Sequence, residues 1–246
     1  MGTKIFLAGA SGVIGRSLIP QLVAAGYDVV GTTRTDEGKA KLEQLGIQAV
    51  KVDVFDRDAI TRAVHDAHPT VVINQLTDLS AKPDAGAPEE ATRRNARIRR
   101  EGGSNLVHAA RSAGVERMIV QSIGWAYAPK EPPYHESDPL DVTATGARAI
   151  TVCEGVVPLE TAVLDQPDFD GIVLRYGQLY GPGTWSEKPD GPAPLHVDAA
   201  AYAAFLAVER GAPGIYNVAE QGGALFVERA IEELGWLPDF RLAETV

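Results

Sequence analysis

The stretch Ala8-Gly9-Ala10-Ser11-Gly12-Val13-Ile14-Gly15 constrains this chain more than any other. An apolar run, residues 4–8, leads into it, and an amphipathic run, residues 13–25, leads out. Strand, glycine turn and helix in that order are the context in which a dinucleotide-binding turn works. Gly9 allows the tight turn, Gly12 removes a side chain where a pyrophosphate approaches the backbone, and Gly15 lets helix and strand pack closely. The helix start then offers N–H groups and a positive dipole end to phosphate, so Ser11, Val13 and Ile14 are expected at the same site. The alternative is an ordinary turn in an unrelated α/β protein. The spacing is G-x-x-G-x-x-G rather than G-x-G-x-x-G.

Apolar strand patterns alternate with helical ones through the rest of the chain. That predicts an α/β fold, a doubly wound parallel sheet of the Rossmann type covered by helices. After residues 4–8, strands are expected at 27–33, 47–53, 70–74, 117–122, 171–175 and 214–218. Helices are expected at 13–25 (tolerating Pro20), 37–45, from a cap at Asp56 to about His65, and at 89–113, 147–163, 198–210 and 224–234. Residues 77–88 read as a loop, and the proline-rich residues 129–139 as a flap over a site at the strand ends. No repeat or linker divides the 246 residues. One domain, 1–246, is expected, with a reduced substrate-binding portion from about residue 175 onward.

Composition narrows what such a domain does. A hydrophobic content of 45% with 23% charged residues is that of a globular domain in water. No apolar run approaches the roughly 20 residues that span a bilayer. The first residues lead straight into a strand, so no signal peptide is expected. The single cysteine, Cys153, cannot form an internal disulfide, which fits a reducing cytoplasm. A net charge of -10 argues against a general nucleic-acid binder, and the expected partner is a small-molecule substrate. No metal site is read. The one basic cluster, Arg93, Arg94, Arg97, Arg99 and Arg100, reads as a solvated helix face, the alternative being contact with an anionic ligand or a partner.

In a sheet of this kind the ligand lies across the carboxyl ends of the strands. An acid at the end of the second strand accepts from the ribose hydroxyl of NAD, whereas an arginine favours the extra phosphate of NADP. Here Thr32-Thr33-Arg34-Thr35 stand there, with no acid before Asp36. Arg34, with hydroxyls from Thr33 or Thr35, points to NADP (NADPH) over NAD; the alternative is a surface arginine opening a loop. Asp53 and Val54 are placed for the adenine edge, although Asp53 also suits a turn cap. Leu76 and Thr77 after the fourth strand, Ser122 closing the fifth, and Tyr176, Gly177 and Leu179 after the sixth complete the expected cofactor contacts.

Several separate motifs, in order, resemble the extended short-chain dehydrogenase/reductases, the NAD-dependent epimerase/dehydratase-like group. They are the glycine spacing, Asp53-Val54, Gly102 with Asn105-Leu106 before Ala109-Ala110, and Ser122. Downstream come Leu174-Arg175-Tyr176-Gly177-Gln178-Leu179-Tyr180-Gly181-Pro182-Gly183, His196-Val197-Asp198-Ala199-Ala200 and Ile215-Tyr216-Asn217-Val218-Ala219. The resemblance implies a Ser/Thr, Tyr and Lys set in which tyrosine moves the proton, lysine lowers its pKa and serine holds the substrate oxygen. This chain departs from that pattern. Taking Glu160 as the family's glutamate one helical turn past the lysine puts Val156 at the lysine and Val152 at the tyrosine. No Tyr-x-x-x-Lys stands elsewhere. Aligning Tyr127 with a later family tyrosine puts Ile123 at the serine position, with Ser122 beside it. Arg99 replaces the long helix's usual asparagine, with Asn95 one turn earlier.

The family's long insertion before the His-Val-Asp segment is cut to residues 185–195, leaving a bulky nucleotide-sugar little to grip. The expected function is therefore an atypical NADP(H)-dependent oxidoreductase, reducing a small carbonyl, imine or conjugated substrate by hydride transfer. Ser122, Tyr127 and Tyr176 are the catalytic candidates; Tyr180, His135 and Arg148 are further polar groups near the strand ends. Cys153 and Glu154 flank the lost tyrosine, and Cys153 reads as a small core residue. The alternatives are a non-catalytic NADP(H)-sensing or scaffold protein and a nucleotide-sugar epimerase or dehydratase. The resemblance also implies a homodimer through the helices before and after residues 129–139.

Overall fold

Strand β1 (Lys4–Ala8) sends Ile5 and Leu7 into one apolar cluster and Phe6 and Ala8 into another, because successive side chains point to opposite faces. A strand buried on both faces needs partners on both edges. It pairs in parallel with β2 (Asp28–Thr33) on one side and β4 (Val71–Asn74) on the other, Leu7 standing level with Gly31 and Ile73. In the computed structural model, which describes residues 2–79 and 88–243, the sheet has seven parallel strands in the order β3-β2-β1-β4-β5-β6-β9. The others are β3 (Gln48–Lys51), β5 (Arg117–Ile123), β6 (Asp170–Tyr176) and β9 (Gly214–Val218). The order reverses between β1 and β4, which opens a crevice beyond their carboxyl ends.

One face is covered by α1 (Val13–Ala24), α2 (Asp36–Gln44) and α8 (Val197–Leu206). Helix α8 presents fully buried alanines to α1, and Ser17 of α1 donates to Asp198 of α8 at 2.7 Å. On the other face lie α3 (Arg57–Ala67), α5 (Gly103–Ser112) and α7 (Val157–Leu164). Asp56 caps α3 as expected, accepting from the Ala59 N–H at 2.9 Å.

Four expectations change. The helix expected at 89–113 is α4 (Pro88–Arg97) joined to α5 through a π-helical turn, Ile98–Gly102. The one expected at 147–163 is α6 (Gly146–Ala149) joined to α7 through a π-helical stretch, Ile150–Val156. Pro158 contributes to the second, since it has no N–H to return to the Glu154 carbonyl. Residues 224–226 are extended rather than helical, and the expected last helix shrinks to Ala230–Leu234. Their backbone is claimed elsewhere: Ala224 donates to the Pro192 carbonyl, and Tyr134 exchanges hydrogen bonds with Ala224 and Phe226. Finally β7 (Gln178–Tyr180) and β8 (Pro194–His196) form a separate parallel pair that no pattern announced. The expected loop at 77–88 lies mostly outside the described residues.

Trp236 fixes the end of the chain beneath α8, fully buried, with Nε1 donating to the Ala199 carbonyl at 2.8 Å. Trp236→Ala leaves a large void and is expected to cost about 3–5 kcal/mol. A urea midpoint unchanged from wild type would contradict that packing.

Candidate functional site

A cavity of about 910 Å³ lies beyond the carboxyl ends of β1 to β6. The glycine turn forms one wall. Gly9 has φ +83°, and a Cβ there would stand 2.6 Å from the Gln75 carbonyl oxygen. At Gly15 a Cβ would meet the Ala10 carbonyl oxygen at 2.5 Å, so glycine is what lets α1 sit against the turn. Gly12 differs: its only near neighbour is the Gly9 oxygen at 3.2 Å, and its open side faces the cavity. No side chain caps α1, and its first turn holds no acid. Bare N–H groups at a helix start beside an open glycine fit a phosphate. Ser11, Val13 and Ile14 line the same wall, and so does Arg16, one turn into the helix.

At the end of β2, Arg34 lines the cavity, is exposed, and has no ion-pair partner among the described residues. The nearest acid in sequence, Asp36, is held by Lys51 of β3 at 2.7 Å and does not reach the cavity. Of the two expected hydroxyls, Thr35 is spent on capping α2, accepting from the Gly38 N–H at 3.0 Å, and Thr33 faces the cavity. Asp53 caps a turn and also faces the cavity. Its Oδ1 accepts from the Phe55 N–H at 3.0 Å, and the residue lines the cavity with Val54. Leu76, Thr77, Gly177 and Leu179 also face it.

The expected catalytic residues separate. Ser122 lines the cavity, but its hydroxyl donates to Glu160 at 2.5 Å. Glu160 also accepts from Arg175 Nη2 at 2.6 Å and Nε at 3.0 Å, and all three side chains are buried. Tyr176 lines the cavity as well. Its hydroxyl donates to the Ala200 carbonyl at 3.0 Å, and burial holds its pKa well above the ordinary phenol value. Tyr127 is not at this cavity. Its hydroxyl donates to Asn217 Oδ1 at 2.6 Å, its ring stacks on Tyr134, and burial raises its pKa. The proline-rich segment follows it. Far from covering the large cavity, residues 129–139 are fastened to β9, where the Asn217 N–H donates to Glu136, and Pro129 and Tyr134 line a second cavity of about 230 Å³.

The remaining candidates are also engaged elsewhere. Tyr180 bonds Glu220 and receives a hydrogen bond from Arg241, His135 packs on Phe226, and Arg148 clamps Asp141 and the carbonyls of Trp125 and Tyr127. Val152 and Val156 are buried with Ile123 and Ala126, and half-buried Cys153 packs beside them. Their neighbour Thr151 reaches the cavity instead.

The basic cluster divides. Arg93 pairs with Glu89, Arg94 with Glu90, Arg97 with Glu101 and Arg100 with Glu154, all on the outside. Arg99 alone turns inward, 4% exposed, into the cavity wall. Gly155 stands opposite: a Cβ there would crowd the Ala96 Cα at 3.1 Å, so glycine lets the two helical segments approach, and the Arg99 Cδ lies at 3.6 Å, ordinary contact. Sequence reasoning marked the substitution at Arg99 but not its burial, and it missed Arg16, Gln75 and Thr151. In the described residues, no cluster of side chains suits a metal ion, and no helix is long and apolar enough to cross a membrane.

Removing one partner from a buried, hydrogen-bonded ion pair strands the other charge, so Glu160→Ala is expected to destabilise the fold by about 3–5 kcal/mol. Thermal unfolding checks this; a melting temperature within a degree or so of wild type would show the pair to be dispensable.

Residues 5–201 match the model of the NAD dependent epimerase/dehydratase family. The chain is similar to a 3-diazoavenalumate denitrifying reductase of a Streptomyces species, 37% identical over 257 residues, covering 96% of this chain and 80% of that protein. Among solved structures, the UDP-glucose 4-epimerase of Thermotoga maritima with UDP-glucose aligns at a TM-score of 0.78 and 18% identity, over 97% of this chain and 94% of that one. The Bordetella bronchiseptica enzyme WbmH in complex with NAD+ aligns at 0.70 and 18%, over 96% and 93%. At that identity the two structures speak for the fold.

Proposed function

The chain belongs to the NAD-dependent epimerase/dehydratase family, and from that premise we propose that it is an NADP(H)-dependent reductase of a small substrate, working without a Tyr-x-x-x-Lys pair. The observation that carries the choice of NADP is Arg34: a cavity-lining guanidinium at the end of β2, with the neighbouring acid drawn away by Lys51. A guanidinium recognises a phosphate by paired hydrogen bonds, and the acid that would accept from the ribose diol of NAD does not reach the cavity at this position. The start of α1 with Gly9 and Gly12 would hold the pyrophosphate, Asp53 and Val54 the adenine, and Leu76, Thr77, Gly177 and Leu179 the remainder. When bound in reduced form, the dinucleotide supplies hydride.

The chain's own residues then decide which acceptors suit. Ser122 has given its one proton to Glu160, so toward the cavity it offers only lone pairs. Tyr176 has given its proton to Ala200 and holds it tightly. Neither is equipped to protonate a substrate oxygen as it receives hydride. An acceptor that needs no proton escapes this limit. The Streptomyces relative is named for a denitrifying reduction of a diazo compound, and where the carbon bearing dinitrogen is a diazonium cation, hydride that replaces the departing dinitrogen requires no proton. We assign this chain to acceptors of that kind, diazonium and iminium carbons, ahead of ketones. The nucleotide-sugar reading has the family behind it, but the short segment that ends in β8 gives such a substrate little to hold.

Titration of NADPH fluorescence is expected to give binding at least about tenfold tighter than for NADH. Arg34→Asp should weaken NADPH by about tenfold or more and leave NADH within about threefold. Equal loss of both would remove Arg34 from phosphate recognition. NADPH consumption is then followed with an arenediazonium salt, an N-alkylated cyclic iminium salt, an aldehyde and a ketone against enzyme-free controls. Turnover of the first two is expected. Tight NADPH binding with no turnover of any would transfer the chain to the sensing reading.

A further inference from the structure

Among the described residues the buried charged side chains are Arg99, Asp141, Glu160 and Arg175. Asp141 is matched by Arg148 at 2.6 Å and Glu160 by Arg175 at 2.6 Å. Arg99 is left over. Its Nε and Nη1 have no hydrogen-bond partner, and Glu160 acts on it only through space. A buried charge without compensation destabilises a fold by several kcal/mol. Nor does the group escape by losing its proton: burial pushes its pKa down to about 10, which still leaves a cation at neutral pH.

The cavity wall therefore carries a buried positive charge with hydrogen-bond donors unspent, on a side chain whose Cδ lies against Gly155 of the π stretch. Its surroundings say which anion it awaits. The phosphate-binding features, the α1 start and Arg34, stand at the ends of β1 and β2. Arg99 stands across the switch point with Asn95, Ser122 and Thr151, on the β4 and β5 side. Trp125 and Trp185 line the same cavity, 42% and 54% exposed, large apolar faces at its edge. Flat aromatic surfaces favour a planar apolar ligand, and an arginine favours a carboxylate.

We propose that Arg99 is the binding residue for the carboxylate of an aromatic substrate. This rests on the preceding reading, in which the glycine half of the cavity holds NADP(H). The guanidinium fixes one end of the substrate through its free N–H groups, and the tryptophans flank its ring. A neutral substrate of the same shape would leave those donors buried and unpaired, so the wall discriminates by charge.

Calorimetric titration of the NADPH-saturated full chain with benzoate and with its neutral isostere benzamide tests this, in wild type and in Arg99→Met. Wild type is expected to bind benzoate at least about tenfold tighter than benzamide, and Arg99→Met to erase the difference while NADPH affinity stays within about twofold. The variant is also expected to melt at a higher temperature, because an uncompensated buried cation is gone. Equal affinity of wild type for benzoate and benzamide overturns the proposal whatever the variant does. So does a loss of NADPH affinity in Arg99→Met as large as its loss of benzoate, which would give the guanidinium to the dinucleotide. If wild type fails to bind NADPH, the preceding reading falls by itself, and the benzoate–benzamide comparison on the NADPH-free chain decides this one.

Discussion

Glu160 is the group on which the joining of α7 to β5 and β6 depends. It lies in α7, yet its two oxygens serve β5 through Ser122 and β6 through Arg175. A carboxylate so deeply placed needs its hydrogen bonds filled and its charge balanced, and one serine and one arginine accomplish both. That closure fixes how α7 sits on the sheet and where β5 and β6 end relative to each other. It also leaves nothing over. The second arginine of the neighbourhood, Arg99, feels the carboxylate's field but receives none of its oxygens.

The other half of the cavity rests on a different constraint, steric rather than electrostatic. Two backbone segments approach Gly9 and Gly15 more closely than any side chain allows, and the start of α1 is thereby held against the end of β1. These contacts span only a few residues, apart from the one with Gln75 at the end of the adjacent strand. Their chemistry is fixed by backbone N–H groups that no substitution of side chains removes. A site built in this way can keep its ligand while the opposite wall changes.

That difference explains what could be read in advance. The positions of the strands and of the glycine turn, and the placing of Arg34 and Asp53 at strand ends beside the cavity, follow from local signals, because a turn and the strand ends beside it are written in consecutive residues. Even Asp36, an acid two positions past Arg34, is neutralised by a residue only 15 places away. Tyr127 looked equally polar and equally near a strand end, but its hydroxyl is claimed by Asn217, 90 positions on. The helix expected at 224–234 failed for the same reason: its first residues give their backbone groups to Tyr134 and Pro192. Arg99 sits in a run of arginines whose other members are solvated ion pairs, and it turns inward within the π turn, opposite Gly155. No periodicity records a contact made 56 residues downstream across two helices.

The same accounting bears on chemistry. In a cavity wall each hydroxyl has one proton to give, and once it is bonded to a buried acceptor the group serves the fold before the substrate. Ser122 and Tyr176 have both made that commitment, and the apolar pair Val152 and Val156 adds no group that titrates. Among the described cavity-lining atoms shut off from solvent, Arg99 Nε and Nη1 and the Gln75 amide oxygen are unspent, and neither side chain is an acid or base near neutrality. On the proposed reading such a wall orients a substrate and discriminates by charge, while Ser122 and Tyr176 supply it no proton. On that reading, it is the engagement of both hydroxyls that sets acceptors reduced by hydride alone ahead of ketones.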